Sequence, residues 1–116
     1  MRANGQSECS FKFLDEELNR RLVSSLKRAR VPHRLDGSNA VHFSNHDEGA
    51  IENDVISPIR SSVFEQWQVL TCPADWVPRY KAYMLGHGVP FKEELIDGNV
   101  AFLLPGNVKP HHWQDL

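Results

Sequence analysis

The chain has 116 residues, of which 41% are hydrophobic and 24% are charged. This length and balance predict one globular domain with its own core and exclude an intrinsically disordered chain. The formal net charge of −2, from 13 basic and 15 acidic residues, disfavours a duplex-binding module, which is usually clearly basic. No apolar run approaches the roughly 20 residues of a membrane span, and no secretory signal is recognisable, so we expect a soluble, cytoplasmic protein.

The first predicted elements are a short strand and an amphipathic helix. Residues 1–9 show no pattern and predict a flexible N-terminus, whereas residues 10–14 alternate apolar and polar side chains as a half-buried strand does. Asp15 is a suitable N-cap for a helix over residues 15–30. Its apolar arc holds Leu18, Leu22, Leu26 and Ala29. The opposite arc holds Arg20, Arg21, Lys27 and Arg28.

A hairpin follows the helix. Pro32 ends the helix, and the turn lies within residues 36–39, where we expect Gly37 to adopt a positive φ. The return strand places Val41 and Phe43 on its core-facing side, because residues two apart share a face of a strand.

The middle of the chain predicts a helix, a strand and a second capped helix. The first of these helices covers residues 47–57, and we expect an irregular segment after it because Pro58 interrupts the apolar stripe. Residues 66–72 have the composition of a strand. Asp75 is the expected cap of the next helix, which ends at Gly86 to Gly88.

The second hairpin repeats the pattern of the first. Its first strand alternates, with Phe91, Glu93 and Leu95 on one face, and its turn lies at Asp97-Gly98. Residues 100–104 are apolar on both faces, which predicts a central or fully covered strand. Glu93 and Glu94 are expected at an exposed hairpin edge, and residues 106–116 form a tail.

The order of elements predicts an α+β fold. We expect a mostly antiparallel sheet with two or three helices packed on one face, arranged as a ferredoxin-like plait or as a duplicated βαββ unit. Residues 10–105 form this single domain, with possible halves 10–57 and 66–105. Convergence of the halves on the same simple unit is as good an explanation as duplication.

The sequence contains no assembled catalytic motif, and it predicts no catalytic residues, no metal and no cofactor. Cys72 precedes a helix, where a thiol can be activated, but a small buried hydrophobic residue at the end of a strand is the simpler interpretation. Whether Cys9 and Cys72 form a disulfide stays open. The alternative to a non-catalytic protein is a small enzyme or ligand-binding domain whose pocket would be lined by His42, His46, His87 and Tyr80.

The favoured function is a small interaction or regulatory protein that binds a protein partner or a second copy of itself. Its candidate contact residues are Arg20, Arg21, Lys27, Arg28, Trp76 and Trp113. A free sheet edge is expected to add to this surface. Nucleic-acid binding through the basic face of the first helix is the weaker alternative, because four charges are few and no aromatic residue alternates with them.

Overall fold

The computed structural model describes residues 8–108 of the chain. In its first half, strand β1 is Glu8–Phe13, helix α1 is Glu16–Arg28, and strands β2 and β3 are Arg34–Leu35 and Val41–Ser44. Helix α2 follows a 3₁₀ turn and consists of α-helical Glu48–Ile51, π-helical Glu52–Ile56 and α-helical Ser57–Val63. The second half contains strand β4 (Trp67–Thr71), helix α3 (Val77–Gly86), strand β5 (Lys92–Ile96) and strand β6 (Asn99–Pro105).

The six strands form one sheet in the order β2-β3-β1-β5-β6-β4, and every neighbouring pair is antiparallel. The predicted α+β class is therefore confirmed. In each half the third strand lies between the first and the second, giving β1-β3-β2 and β4-β6-β5. This is the strand order of two βαββ units side by side. In a ferredoxin-like plait β4 would pair with β1, whereas here β5 pairs with β1. A duplication as the origin of the two units stays a prediction.

Two of the three helices, α1 and α2, pack on one face of the sheet, as predicted, and helix α3 covers the other face. Phe13 is opposite Glu94, and Glu94 is opposite Ala101, so these three side chains lie on one face. Helices α1 and α2 cover that face. Phe102 points to the other face, where it packs against Met84 of α3.

The direction of the strands explains why α3 lies opposite α1. The crossovers β1-α1-β2 and β4-α3-β5 each join two parallel strands with one strand between them, and both move across the sheet in the same direction. However, β4 runs antiparallel to β1. Crossover connections between parallel strands are almost always right-handed. Because the two crossovers start from antiparallel strands and move in the same direction, they can both be right-handed only if their helices lie on opposite faces of the sheet.

Each face has its own hydrophobic cluster. The larger cluster joins α1 and α2 to β1 and β3, and its most deeply buried members are Phe13, Leu22, Leu26 and Val41, each 0% exposed. The smaller cluster surrounds Met84, Phe102 and Leu104. Strand β6 contributes to both faces, since Ala101 to Leu104 are all fully buried. This agrees with its prediction as a central or covered strand.

Helix α2 is longer than its sequence predicts. It continues past Pro58 to Val63 instead of stopping near Ser57. Pro58 falls in the first turn of α-helical Ser57–Val63, where its missing N–H costs little, and the π-helical stretch lies immediately before it. A wider turn before a proline lets the helix continue, because the ring no longer meets the ideal α-helical backbone of the preceding turn.

The turns also differ in detail from expectation. In the first hairpin it is Asn39, with φ 69°, that adopts the left-handed conformation instead of Gly37. In the second hairpin Asp97 and Gly98 both have positive φ, as a two-residue turn of type I′ requires. Asp75 does not cap α3, because it lies inside a 3₁₀ turn, Ala74–Trp76, that leads directly into the helix.

Candidate functional site

A groove between α1 and α2 gathers three of the four basic residues predicted as a contact surface. Arg20, Arg21 and Arg28 line this cavity of about 320 Å³. They lie on the exposed side of α1 because Leu18, Leu22 and Leu26 turn the opposite side into the core. Small or short side chains keep the groove open, namely Ser24, Ser25 and Pro58, and its apolar base is formed by Val55 and Ile59.

Two of the three arginines have no carboxylate partner within residues 8–108. Arg21 Nη1 donates to the hydroxyl of Ser62 at 3.0 Å, and Arg28 Nη2 donates to the hydroxyl of Ser25 at 3.4 Å. Arg20 is 3.7 Å from Glu17 Oε1, with both side chains more than 70% exposed. Such an exposed pair contributes little and is easily exchanged for another anion. None of the three arginines is therefore held in a close ion pair with a carboxylate of the described residues.

Two acidic residues limit the basic character of the groove. Glu17 lies beside Arg20 at one end, and Asp54 of α2 lines the opposite wall. The groove thus carries three positive and two negative side chains. An extended, uniformly negative ligand would meet both carboxylates, whereas a short anionic segment could lie against the arginines alone.

Lys27 is separated from this groove. It lines a second cavity, of about 550 Å³, on the other side of α1, together with Lys12 and Arg20. The apolar residues Leu14 and Leu35, each more than 40% exposed, also line this second cavity. The basic arc predicted from the helical wheel is therefore divided between two sites.

Trp76 is half-buried at the start of α3. Its ring is covered by the guanidinium of Arg79, 4.6 Å from the ring centroid, and its centroid is 6.0 Å from that of Tyr80. It belongs to the opposite face of the sheet from the α1–α2 groove. Trp113, the other predicted contact tryptophan, lies outside the described residues.

The structure does not assemble the alternative histidine pocket. His42 Nε2 donates to Asp36 at 2.7 Å, and its Nδ1 is 3.4 Å from Glu8. His46 is exposed in the turn after β3. None of the four predicted side chains lines either cavity of α1.

The remaining members of that predicted pocket belong to α3. His87 Nδ1 donates to the carbonyl of Tyr83 at 2.9 Å, and the two rings stack with centroids 4.1 Å apart. Tyr80 lies beside Trp76 on the same helix. Strands β1 and β5 lie between β3, which carries His42, and β6, which α3 covers.

The surroundings of Cys72 do not activate its thiol. Cys9 and Cys72 are not joined by a disulfide. Burial and the neighbouring carboxylate of Asp75 raise the pKa of the Cys72 thiol, which favours the protonated form. Over the described part of the chain, no three His, Cys, Asp or Glu side chains are grouped so that they could hold a metal ion.

A buried ion pair was missed by the sequence analysis. Arg60 of α2 and Glu94 of β5 are both buried, with Glu94 0% exposed, so the prediction of Glu94 at an exposed edge is wrong. Strand β5 lies between β1 and β6 and has no free edge. Glu93, on the opposite face, pairs with Lys81 at 3.1 Å and is only partly exposed.

The surroundings of Arg60 satisfy its guanidinium almost completely. It donates to both carboxylate oxygens of Glu94, at 3.0 and 2.7 Å, and its third nitrogen donates to Glu52. The rings of Phe11 and Trp67 lie 5.5 and 5.0 Å from its central carbon. Burial raises the pKa of the Glu94 carboxyl above its usual value, although the hydrogen bonds from Arg60 oppose the rise.

A signal for Arg60 was present in the sequence. Ile56, Ile59, Arg60 and Val63 lie at helical spacing, so a helix that continues past Pro58 places Arg60 on the apolar face. An arginine there requires a buried carboxylate. The two glutamates next to each other on β5 offered one.

Comparisons with known protein families, with curated proteins and with solved structures return no match to this chain. Within residues 8–108, no helix has both the length and the apolar character needed to cross a membrane. The geometry and charge of the described surface are therefore the basis for a functional proposal.

Proposed function

We propose that this chain is a protein-binding domain whose α1–α2 groove binds an acidic segment of a partner protein. The observation that carries the proposal is the convergence of Arg20, Arg21 and Arg28 on one groove, where none of them forms a close ion pair with the described residues. A carboxylate entering the groove would replace the weak contacts with serine hydroxyls by charge-assisted hydrogen bonds. The role is binding, with no chemical step.

The shape of the groove supports a short peptide segment as the ligand. Arg21 and Arg28 are seven residues, about two helical turns, apart on α1, so their side chains lie roughly 10 Å from each other along the helix axis. Carboxylates at suitable positions of one peptide could reach both. The apolar base formed by Val55 and Ile59 would accept an aliphatic side chain between them.

The same groove is less suited to nucleic acid. Glu17 and Asp54 line it and would repel a continuous phosphate backbone. No aromatic side chain lines the groove, so the stacking platform that single-stranded nucleic acids use is missing from this part of the described structure. These features favour an acidic protein segment of mixed sequence.

The proposal is tested by fluorescence polarisation with a labelled short peptide in which two glutamates flank a leucine, and with a matched peptide that has glutamines in place of the two glutamates. We expect the full chain to bind only the acidic peptide. Each of Arg21→Gln and Arg28→Gln should weaken this binding by about two- to fivefold, the range for a single exposed charge contact. Both residues are exposed, so these changes should leave the fold intact.

Lys27→Gln is the matched control, because it removes the same charge from the same helix but from the other cavity. It should change the affinity much less than either arginine variant. Equal losses in all three variants would mean that the peptide responds only to net charge, and the proposed site would be wrong. Tighter binding of a labelled DNA oligonucleotide than of the acidic peptide would favour nucleic acid as the ligand instead.

A further inference from the structure

Within residues 8–108, the backbone groups at alternate residues of β4 point to its outer edge and have no partner strand. Gly106 N donates to Gln66 O at 2.7 Å, which makes these residues a hydrogen-bonded pair of the β4–β6 ladder. The pairing continues at Gln68 with Leu104 and at Leu70 with Phe102. The N–H and C=O groups of Trp67, Val69 and Thr71 therefore point away from β6, towards the edge.

The second hairpin confirms this assignment. Its two-residue turn makes Ile96 and Asn99 a hydrogen-bonded pair, so odd-numbered residues of β6 bond to β5 and even-numbered residues bond to β4. Among the described residues no strand pairs with the outer edge of β4.

The edge of β4 lacks the usual protection against pairing. Residues 66–72 contain no charged residue, no proline and no glycine, and Trp67, Val69 and Leu70 are half-buried. The other edge strand, β2, has only two residues, and its Arg34 pairs with Glu8. Natural proteins prevent edge-to-edge pairing with short edge strands and charged side chains. Strand β2 has both of these features, and β4 has neither.

We propose that β4 pairs antiparallel with β4 of a second copy of this chain, about a two-fold axis at Val69. In this register Val69 is opposite Val69 of the second copy. Trp67 of each copy is opposite Thr71 of the other copy. The three pairs use every outward backbone group, with two hydrogen bonds per pair and six in all. Glu65 would be opposite Pro73, so no like charges are opposed.

The helices support the same arrangement. Lys81 on one side of α3 pairs with Glu93 of β5, so the opposite side of the helix, with Tyr83, and Trp76 just before the helix would be nearer to β4. In the proposed dimer the two copies of β6 are three strand spacings apart, about 14 Å. The two α3 helices, each packed on β6, would be separated by a similar distance, which the large side chains of Trp76 and Tyr83 can fill.

The proposed interface limits the assembly to two copies. Pairing about a two-fold axis uses the same edge in both copies and leaves only the short β2 strands at the ends of a twelve-stranded sheet. A dimer, and not an open polymer, is therefore the product. This inference does not depend on the α1–α2 groove, which contains no residue of β4.

The test combines analytical ultracentrifugation with amide hydrogen exchange of the full chain. We expect a dimer at high concentration, with the amides of Trp67, Val69 and Thr71 protected, and loss of this protection on dilution. Gln68 and Leu70 serve as internal controls, because β6 protects their amides in monomer and dimer alike.

Val69→Lys should produce a monomer, because it opposes two lysines at the axis, while Val69→Thr should remain dimeric. If Val69→Lys fails to fold, the exchange pattern of the unmodified chain decides alone. A monomer at all concentrations, with the three odd-numbered amides exchanging rapidly and the even-numbered ones protected, would overturn the proposal. Those results would leave the peptide-binding groove unaffected.

Discussion

Arg60 of helix α2 forms a bidentate ion pair with Glu94 in the middle of the sheet, 34 residues away in the chain. Glu94 is the only acidic residue of β5 on the sheet face that α1 and α2 cover. Arg60 extends to it from the last turns of α2. The pair also extends to Glu52 at the solvent edge. It fixes the position of α2 over the sheet, and thereby one wall of the α1–α2 groove.

Breaking this pair from one side should be costly. We predict that Arg60→Met or Glu94→Met alone lowers the free energy of unfolding by about 3–5 kcal/mol, because each leaves a buried group without its partner. The double variant Arg60→Met with Glu94→Met should lose much less than the sum. Urea denaturation of the four proteins measures this coupling. Additive losses would show that the two side chains stabilise the fold independently.

Asp36 should make the first hairpin sensitive to acid. Hydrogen bonds from His42, Ser38 and the backbone lower the pKa of its carboxyl below the ordinary value of 3.8. Its stabilisation is therefore fully present above pH 3.8 and is lost as the pH falls below that value towards the lowered pKa.

Asp36→Asn tests this dependence, since the amide cannot titrate. Between about pH 5 and pH 2, the free energy of unfolding of the unmodified chain should fall more steeply than that of the variant. Thermal unfolding at several pH values provides the measurement. Parallel curves for the two proteins would contradict the assigned role of Asp36.

The two hairpin glycines should respond differently to alanine. Gly98 has φ 83°, so Gly98→Ala should cost about 1–2 kcal/mol of stability through backbone strain alone. Gly37 has no positive φ and open space around it, so Gly37→Ala should be neutral or slightly stabilising. The difference in unfolding midpoint between these variants is the readout, and equal losses would contradict the observed turn geometry.

Asn19 should be important for joining α1 to strand β1 and to the turn of the first hairpin. Its buried side chain accepts a hydrogen bond from Phe13 N at 3.0 Å and donates one to Asn39 O at 2.9 Å. Asn19→Ala should therefore cost about 1–3 kcal/mol, because it leaves buried backbone groups unsatisfied. Asn19→Ser, which keeps one hydroxyl, is a useful comparison. A change below 0.5 kcal/mol, typical of a surface position, would contradict this role.

Local patterns in the sequence predicted much of the fold. The amphipathic arc of α1, the Asp15 cap and the inward Phe11 and Phe13 are confirmed, since Asp15 accepts from Leu18 N and both phenylalanines are buried. Strand order could not be read in this way, because it depends on which strands meet across long separations. The position of α3 on the opposite face follows from that order.

The candidate site was predicted only in part. The helical spacing of Arg20, Arg21 and Arg28 put them on one face of α1, and the structure adds that α2 turns this face into a groove. The separation of Lys27 depends on where α2 packs, which a helical wheel cannot show. Arg60 was missed because Pro58 was expected to end the helix, although Arg60 continues the apolar arc begun by Ile56.

The most direct test of the proposed function is a titration of the isotope-labelled chain with the short peptide in which two glutamates flank a leucine, followed by NMR. We expect the largest shifts at the backbone amides of Ser25 and Val55, which line only the groove, and at the side chains of Arg21 and Arg28. The amides around Lys12 and Lys27 should change little. Shifts centred on Lys12 and Lys27, with those of Arg21 and Arg28 unchanged, would contradict the account.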